Sequence, residues 1–83
     1  MAHFMDIHKN MKGLTKDQLL EAHNQDLANE QGTGVHFQKA WGDPTSGWVF
    51  CLSEGPNREA IQQVHRRSGH PADEIFEVPV SVE

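Results

Sequence analysis

Two helix-start signals divide this chain and limit what it can fold into. Thr15-Lys16-Asp17-Gln18 reads as a capping box, in which the Thr15 hydroxyl accepts from the third helical amide and the Gln18 side chain reaches back. Gly55-Pro56-Asn57 opens a second helix, with Asn57 as N-cap and Glu59 in the first turn. The first helix is predicted to run to about Gln31, before Gly32 and Gly34, with an apolar stripe of Leu19, Leu20, His23 and Leu27. The second turns Ala60, Ile61, Val64 and His65 inward and stops at Gly69 and Pro71. Around the helices, residues 3–8 alternate like a strand, 35–42 and 48–53 flank a dense turn at Gly42-Asp43-Pro44-Thr45-Ser46-Gly47, and 75–82 reads as a last strand. The order is β-α-β-β-α-β. It predicts an α+β fold, the ferredoxin-like split βαβ sandwich, with two helices on one face of a four-stranded antiparallel sheet and a single domain over 1–83.

A chain of 83 residues supplies a thin core, burying only about 60–65% of its unfolded surface, and it has no room for a second domain or a cofactor-sized Rossmann unit. Two short helices cover one face of such a sheet and leave the other bare. Phe4, Trp41, Trp48 and Phe50 cannot all be hidden beneath them. A homodimer packing sheet against sheet is the expected remedy.

The formal net charge is -5, and Arg66-Arg67 is the only adjacent basic pair. Nucleic-acid binders carry a basic patch because phosphate neutralisation supplies most of their affinity, so that class is excluded. Cys51 is the only cysteine, which excludes an intrachain disulfide and thiolate-rich metal sites. Within Trp48-Val49-Phe50-Cys51-Leu52 it reads as a small buried hydrophobe. The absence of disulfides suits a reducing, cytoplasmic setting. No apolar run approaches the ~20 residues of a bilayer span, and the first residues lack the pattern of a signal peptide, so no membrane partner is expected.

Histidine is unusually abundant: 6 against 7 Lys plus Arg. No two lie at i, i+4 on a helix, so there is no ready-made two-His clip. Any metal site must be assembled from different elements, and the topology says which ones meet. In the split βαβ fold the end of the first strand, the end of the second helix and the start of the last strand share one edge. His8, His65 and His70 fall near it, His23 lies on the inner stripe of the first helix, and Asp6 shares a strand face with His8. Imidazole with carboxylate is an N/O donor set that suits nickel, copper, zinc or cobalt. Asp6, Asp26 and Asp73 are available to orient the rings. His3 and His36 read as solvated strand residues. Strand parity leaves two facings. Either His3, Met5 and Ile7 point at the helices, or Phe4, Asp6 and His8 do, and only the second brings Asp6, His8, His23 and His65 into one pocket. Phe76, Val78 and Val80 look more core-like than Ile75, Glu77 and Pro79, which favours the first.

Five stretches together carry a resemblance: Phe4-Met5-Asp6-Ile7-His8, Ala22-His23-x-x-Asp26-Leu27, Val49-Phe50-Cys51-Leu52-Ser53-Glu54-Gly55-Pro56, Val64-His65-Arg66 and Ile75-Phe76-Glu77-Val78. Over nearly its whole length the chain resembles a family of small bacterial nickel-binding proteins of actinobacterial type. The resemblance implies a dimeric ferredoxin-like fold and Ni²⁺ as the bound ion, with no established catalysis. Asp6, His8, His23, Asp26, Glu54 and His65 match the family's recurring polar positions. Two departures stand out: His36 occupies a position often aromatic in the family, and Gly69-His70-Pro71 replaces a common His-Gly pair.

The expectation is a non-catalytic homodimer that binds Ni²⁺ or another divalent transition metal through Asp6, His8, His23 and His65, with Asp26 and His70 next. The alternative is a small enzyme in which Asp6 and His8 do acid–base chemistry in an enclosed, aromatic-lined pocket.

Overall fold

Both helix-start signals are used. In the computed structural model, which describes residues 1–83, Gln18 N–H donates to Thr15 Oγ1 at 3.1 Å and Thr15 N–H to Gln18 Oε1 at 2.9 Å. Ala60 N–H donates to Asn57 Oδ1 at 2.8 Å. The elements run β1 (Ala2–His8), α1 (Lys16–Ala28), β2 (His36–Asp43), β3 (Trp48–Gly55), α2 (Arg58–Arg67) and β4 (Glu74–Glu77). The sheet order is β2-β3-β1-β4, with every neighbouring pair antiparallel and both helices on one face. This is the ferredoxin-like α+β arrangement that the element order predicts. No helix is long and apolar enough to cross a membrane.

The facing of β1 departs from the expectation. Phe4, Asp6 and His8 are buried under the helices, opposite Ser53, Cys51 and Val49 of β3, while His3, Met5 and Ile7 lie on the outer face. Phe76, taken as core-like, sits outward opposite Met5, and Ile75 packs inward beside Asp6. Hydropathy of β4 misleads because the outer face is itself apolar: Met5, Ile7, Phe50 and Leu52 are half-buried there beside exposed Trp41, Trp48 and Phe76.

Two elements are shorter than expected. α1 stops at Ala28, where the Asn29 side chain donates to Gln25 O at 2.8 Å and closes the last turn. β4 stops at Glu77, because Pro79 cannot donate to a ladder. The inner stripe of α1 is also rotated. Leu20 and Leu27 are exposed, and the inward line is Leu19, Ala22 and His23, half-buried, with Asp26 buried. The α2 stripe is as read, with Ile61, Val64 and His65 fully buried.

The core is Phe4, Leu14, Val35, Phe37, Val49, Cys51, Ile61 and Val64. It is packed without slack at Gly55, where a Cβ would meet Ile61 Cδ1 at 3.0 Å and Val35 Cγ2 at 3.3 Å. Two clamps fix the end of β1. Met11 N–H donates to Gly47 O and Gly13 N–H to Pro44 O, both at 2.9 Å, tying the loop after β1 to the β2–β3 turn. Only glycine fits at Gly47, where φ is +79° and a Cβ would lie 2.6 Å from Lys12 N. On the other side Asp73 N–H donates to Ile7 O at 2.8 Å and Lys9 N–H to Asp73 Oδ2 at 2.7 Å. A reciprocal pair of bonds between the Gln62 amide and the Ala72 backbone, both 2.8 Å, holds that loop against α2.

Candidate metal centre

The clamped edge brings His8, His65 and His70 into one cluster. His8 closes β1, and its ring meets that of His65 edge-on at 4.6 Å between centroids. His70 follows Gly69, whose φ of +86° turns the chain back over the end of α2, and its ring lies 5.6 Å from His65 and 5.7 Å from His8.

His65 is the hub and is fully buried. Nε2 lies 2.8 Å from Asp6 Oδ2, and Nδ1 lies 3.1 Å from Asp26 Oδ1. Asp26 Oδ1 also takes His70 Nε2 at 3.0 Å. Burial opposes ionisation of His65, but its hydrogen bonds to the two carboxylates and their charge prevail and raise its pKa to about 9. The same contacts overcome burial for Asp6 and Asp26, holding both carboxyls below the usual range. Near neutral pH this places a charged imidazolium between two carboxylates.

The remaining donors are unpaired. His8 Nε2 lies 3.0 Å from Asp6 Oδ1 but is not aligned for a hydrogen bond, so both atoms are buried without a partner. Unsatisfied buried polar atoms are costly, and two on facing groups fit a bound cation that would take both. Donor atoms of Asp6, His8, His65 and Cys51 all lie within 4.8 Å of one another, and so do those of Asp26, His65 and His70. The donors are nitrogen and oxygen with one sulfur, a set that fits a late first-row divalent cation. Burial, then the carboxylates of Asp6 and Asp26, push the Cys51 thiol above its ordinary range, so the metal-free protein keeps it protonated.

Of the residues expected from the sequence, Asp6, His8, Asp26, His65 and His70 are joined by these contacts. His23 lies apart from them. It lines an adjoining cavity of about 60 Å³ with Met11, Leu19, Ala22, Ala40 and Val49, which also opens onto His8, Asp26 and His70. Asp73 acts on the backbone of Lys9 and orients no ring. Cys51 was missed. Its signal is register, because it stands directly opposite Asp6 on the inner face, and register is set by strand pairing that a single strand does not display.

Comparison with known proteins agrees with this architecture. Residues 4–78 match the family described as nickel responsive protein SCO4226-like. The crystal structure of SCO4226 from Streptomyces coelicolor A3(2) matches with a TM-score of 0.96 at 60% sequence identity, covering 98% of this chain and 100% of that one. No curated protein matches.

Proposed function

This chain belongs to the SCO4226-like family of nickel-responsive proteins, and on that premise we propose that it binds a divalent transition metal, Ni²⁺ foremost, at the buried centre. The observation that carries the reading is the facing pair of unpartnered atoms, Asp6 Oδ1 and His8 Nε2, beside His65 and Cys51. Asp6, His8 and His65 are the residues that would hold the ion, with Cys51 as a fourth donor. A divalent cation there would replace the imidazolium charge of His65 between the two carboxylates. Asp26 would hold the far nitrogen of His65 and fix its ring. His70, a quarter exposed, and His23, at the cavity wall, line the way in from solvent.

Binding must displace the protons of His65 Nε2 and the Cys51 thiol, so it is coupled to proton release and weakens as pH falls. His8→Ala is the cleanest test, because it removes one donor and leaves the Asp6–His65–Asp26 bonds intact. Calorimetry with Ni²⁺ is expected to show the loss of one equivalent per chain in His8→Ala and a weakened site in Cys51→Ala. Wild-type stoichiometry and affinity in both variants would refute the reading.

The enzyme alternative has little room. A cavity of about 60 Å³ holds a few waters, whereas small-molecule sites run to ~300 Å³ or more. Neither Trp41 nor Trp48, the expected aromatic wall, lines it. The protein is read as non-catalytic.

The same reading takes residues 1–83 as one domain and makes it half of a cytoplasmic homodimer, packed through the outer face of the sheet. Trp41, Trp48 and Phe76 are 40%, 36% and 46% exposed there. An apolar surface of this kind marks an interaction site. Light scattering at high concentration is expected to give twice the chain mass, and a monomeric mass would overturn the assignment.

A further inference from the structure

His65 has two ring nitrogens, and each faces its own set of metal-binding groups. Nε2 lies 2.8 Å from Asp6 Oδ2, in the set completed by His8 and Cys51. Nδ1 lies 3.1 Å from Asp26 Oδ1, in the set completed by His70. Within each set the donor atoms lie inside 4.8 Å of one another. That is close to what bonds of ~2.0–2.3 Å to one ion span. The sets come from different elements. β1 and β3 supply the first, and α1 with the turn after α2 supplies the second. His65 belongs to both, and its ring cannot turn away to solvent: it is fully buried, edge-on to His8 at 4.6 Å and tilted on Phe37 at 4.8 Å. Asp26 has no lysine or arginine partner. Its side chain meets only the rings of His65 and His70, the latter at 3.0 Å.

We propose that His65 bridges two divalent transition-metal cations as an imidazolate, one held through Nε2 with Asp6, His8 and Cys51, the other through Nδ1 with Asp26 and His70. The second ion presupposes the first, bound as proposed above. Each ion takes the place of a proton on the ring. A metal–nitrogen bond forms at Nε2 and another at Nδ1, and the N–H bond at each nitrogen breaks. These protons, with that of the Cys51 thiol, pass to water. The carboxylate that faced each N–H becomes an oxygen donor to the ion. Charge explains why one ion draws another. With the first alone, the Cys51 thiolate and the carboxylates of Asp6 and Asp26 outweigh it. Two divalent cations are matched by those three anions and the imidazolate, with His8 and His70 neutral, and a neutral whole suits a buried place. The two positions differ in softness and access. The first includes sulfur and is closed. The second offers only nitrogen and oxygen, and the cavity of about 60 Å³ opens onto Asp26 and His70, so water completes its coordination and its ion exchanges faster.

The test is calorimetry of the full chain with Ni²⁺ alone, combined with heteronuclear NMR of the His65 ring N–H groups during titration with diamagnetic Zn²⁺. The wild type is expected to take two equivalents of Ni²⁺ per chain. His70→Ala is expected to lose one and to keep the one that His8→Ala removes. Both ring N–H signals of His65 should vanish in the wild type at saturating Zn²⁺, and the Nδ1–H signal should survive in His70→Ala. The bridge is overturned if Nδ1–H persists in the saturated wild type, because Asp26 then holds a proton rather than an ion. It is equally overturned if His70→Ala binds Ni²⁺ as the wild type does. An equivalent lost in His8→Ala and none in His70→Ala leaves the buried centre standing and removes the bridge, whereas no loss in His8→Ala removes both. His70 is a quarter exposed and its side chain bonds only to Asp26, so His70→Ala is expected to fold, and thermal unfolding checks that.

Discussion

The two faces of one sheet treat polar and apolar residues in opposite ways. On the inner face β1 buries Asp6 and His8 next to Phe4, and α1 buries Asp26 while Leu20 and Leu27 stay in solvent. On the outer face Trp41, Trp48 and Phe76 are exposed, and the histidines His3 and His36 stand in water. A core that spends its few buried places on carboxylates and imidazoles gives up hydrophobic stabilisation of about 1.5–3 kcal/mol per large side chain. An outer face left apolar gives up solubility. Neither is explained by folding a lone chain. The first fits an ion bound inside, the second a partner bound outside.

The contrast is broken most directly at His65. Removing it takes from Asp6 and Asp26 the buried imidazolium they share, so His65→Ala is expected to cost about 3–5 kcal/mol in urea unfolding without metal. His3→Ala, which removes the exposed contact to Glu54, is expected to cost ~0–1 kcal/mol. Comparable losses in the two variants would erase the distinction between the faces.

Acid and base should divide the faces next. His65 is raised in the folded state from 6.5 to about 9, so its contribution is fully present below pH 6.5 and is lost as pH rises through 9. That is about 3 kcal/mol between the two limits. Asp6 and Asp26 are depressed, so their contribution is present above their ordinary value of 3.8 and is lost as pH falls through the folded values. The metal-free protein should therefore be most stable between about pH 4 and 6.5. A melting temperature flat from pH 6 to 10 would show that His65 does not carry this charge. His65→Ala should flatten the alkaline limb, whereas His3→Ala should leave it unchanged.

Packing offers a smaller effect. Gly55→Ala forces a methyl against Ile61 and Val35 and should cost about 1–3 kcal/mol by denaturant titration. Phe76→Asp on the outer face should change chain stability by no more than ~0.5 kcal/mol, yet sedimentation should show it as a monomer. A variant that stays dimeric would move the partner surface elsewhere.

Much of the fold was legible along the chain because its signals are local. Thr15, Gln18 and Asn57 cap helices through bonds that span three residues, and the turn from Gly42 to Gly47 carries its own chemistry. The candidate centre was legible in its members and illegible in its shape. His8, His65 and His70 could be placed near one edge by topology, and Asp6 by its spacing from His8. What failed was everything resting on which way a strand faces. Phe76 and Val78 argued for the wrong facing because hydropathy does not distinguish the two faces of a sheet whose outer face is itself apolar. Leu20 and Leu27 argued for the wrong stripe on α1 because Asp26 gains ionic partners that only the fold supplies.

The sequence by itself determined the order of elements, the ends at which they begin and the residue types available for binding. These follow from bonds and torsions within a few residues. The tertiary structure decided that Cys51 lies opposite Asp6, that His65 bridges two carboxylates from different elements, and that Glu54 stands between His3 and His36. Each depends on register and packing between segments far apart in the chain. A shift of one residue in any strand would turn every one of its side chains to the opposite face.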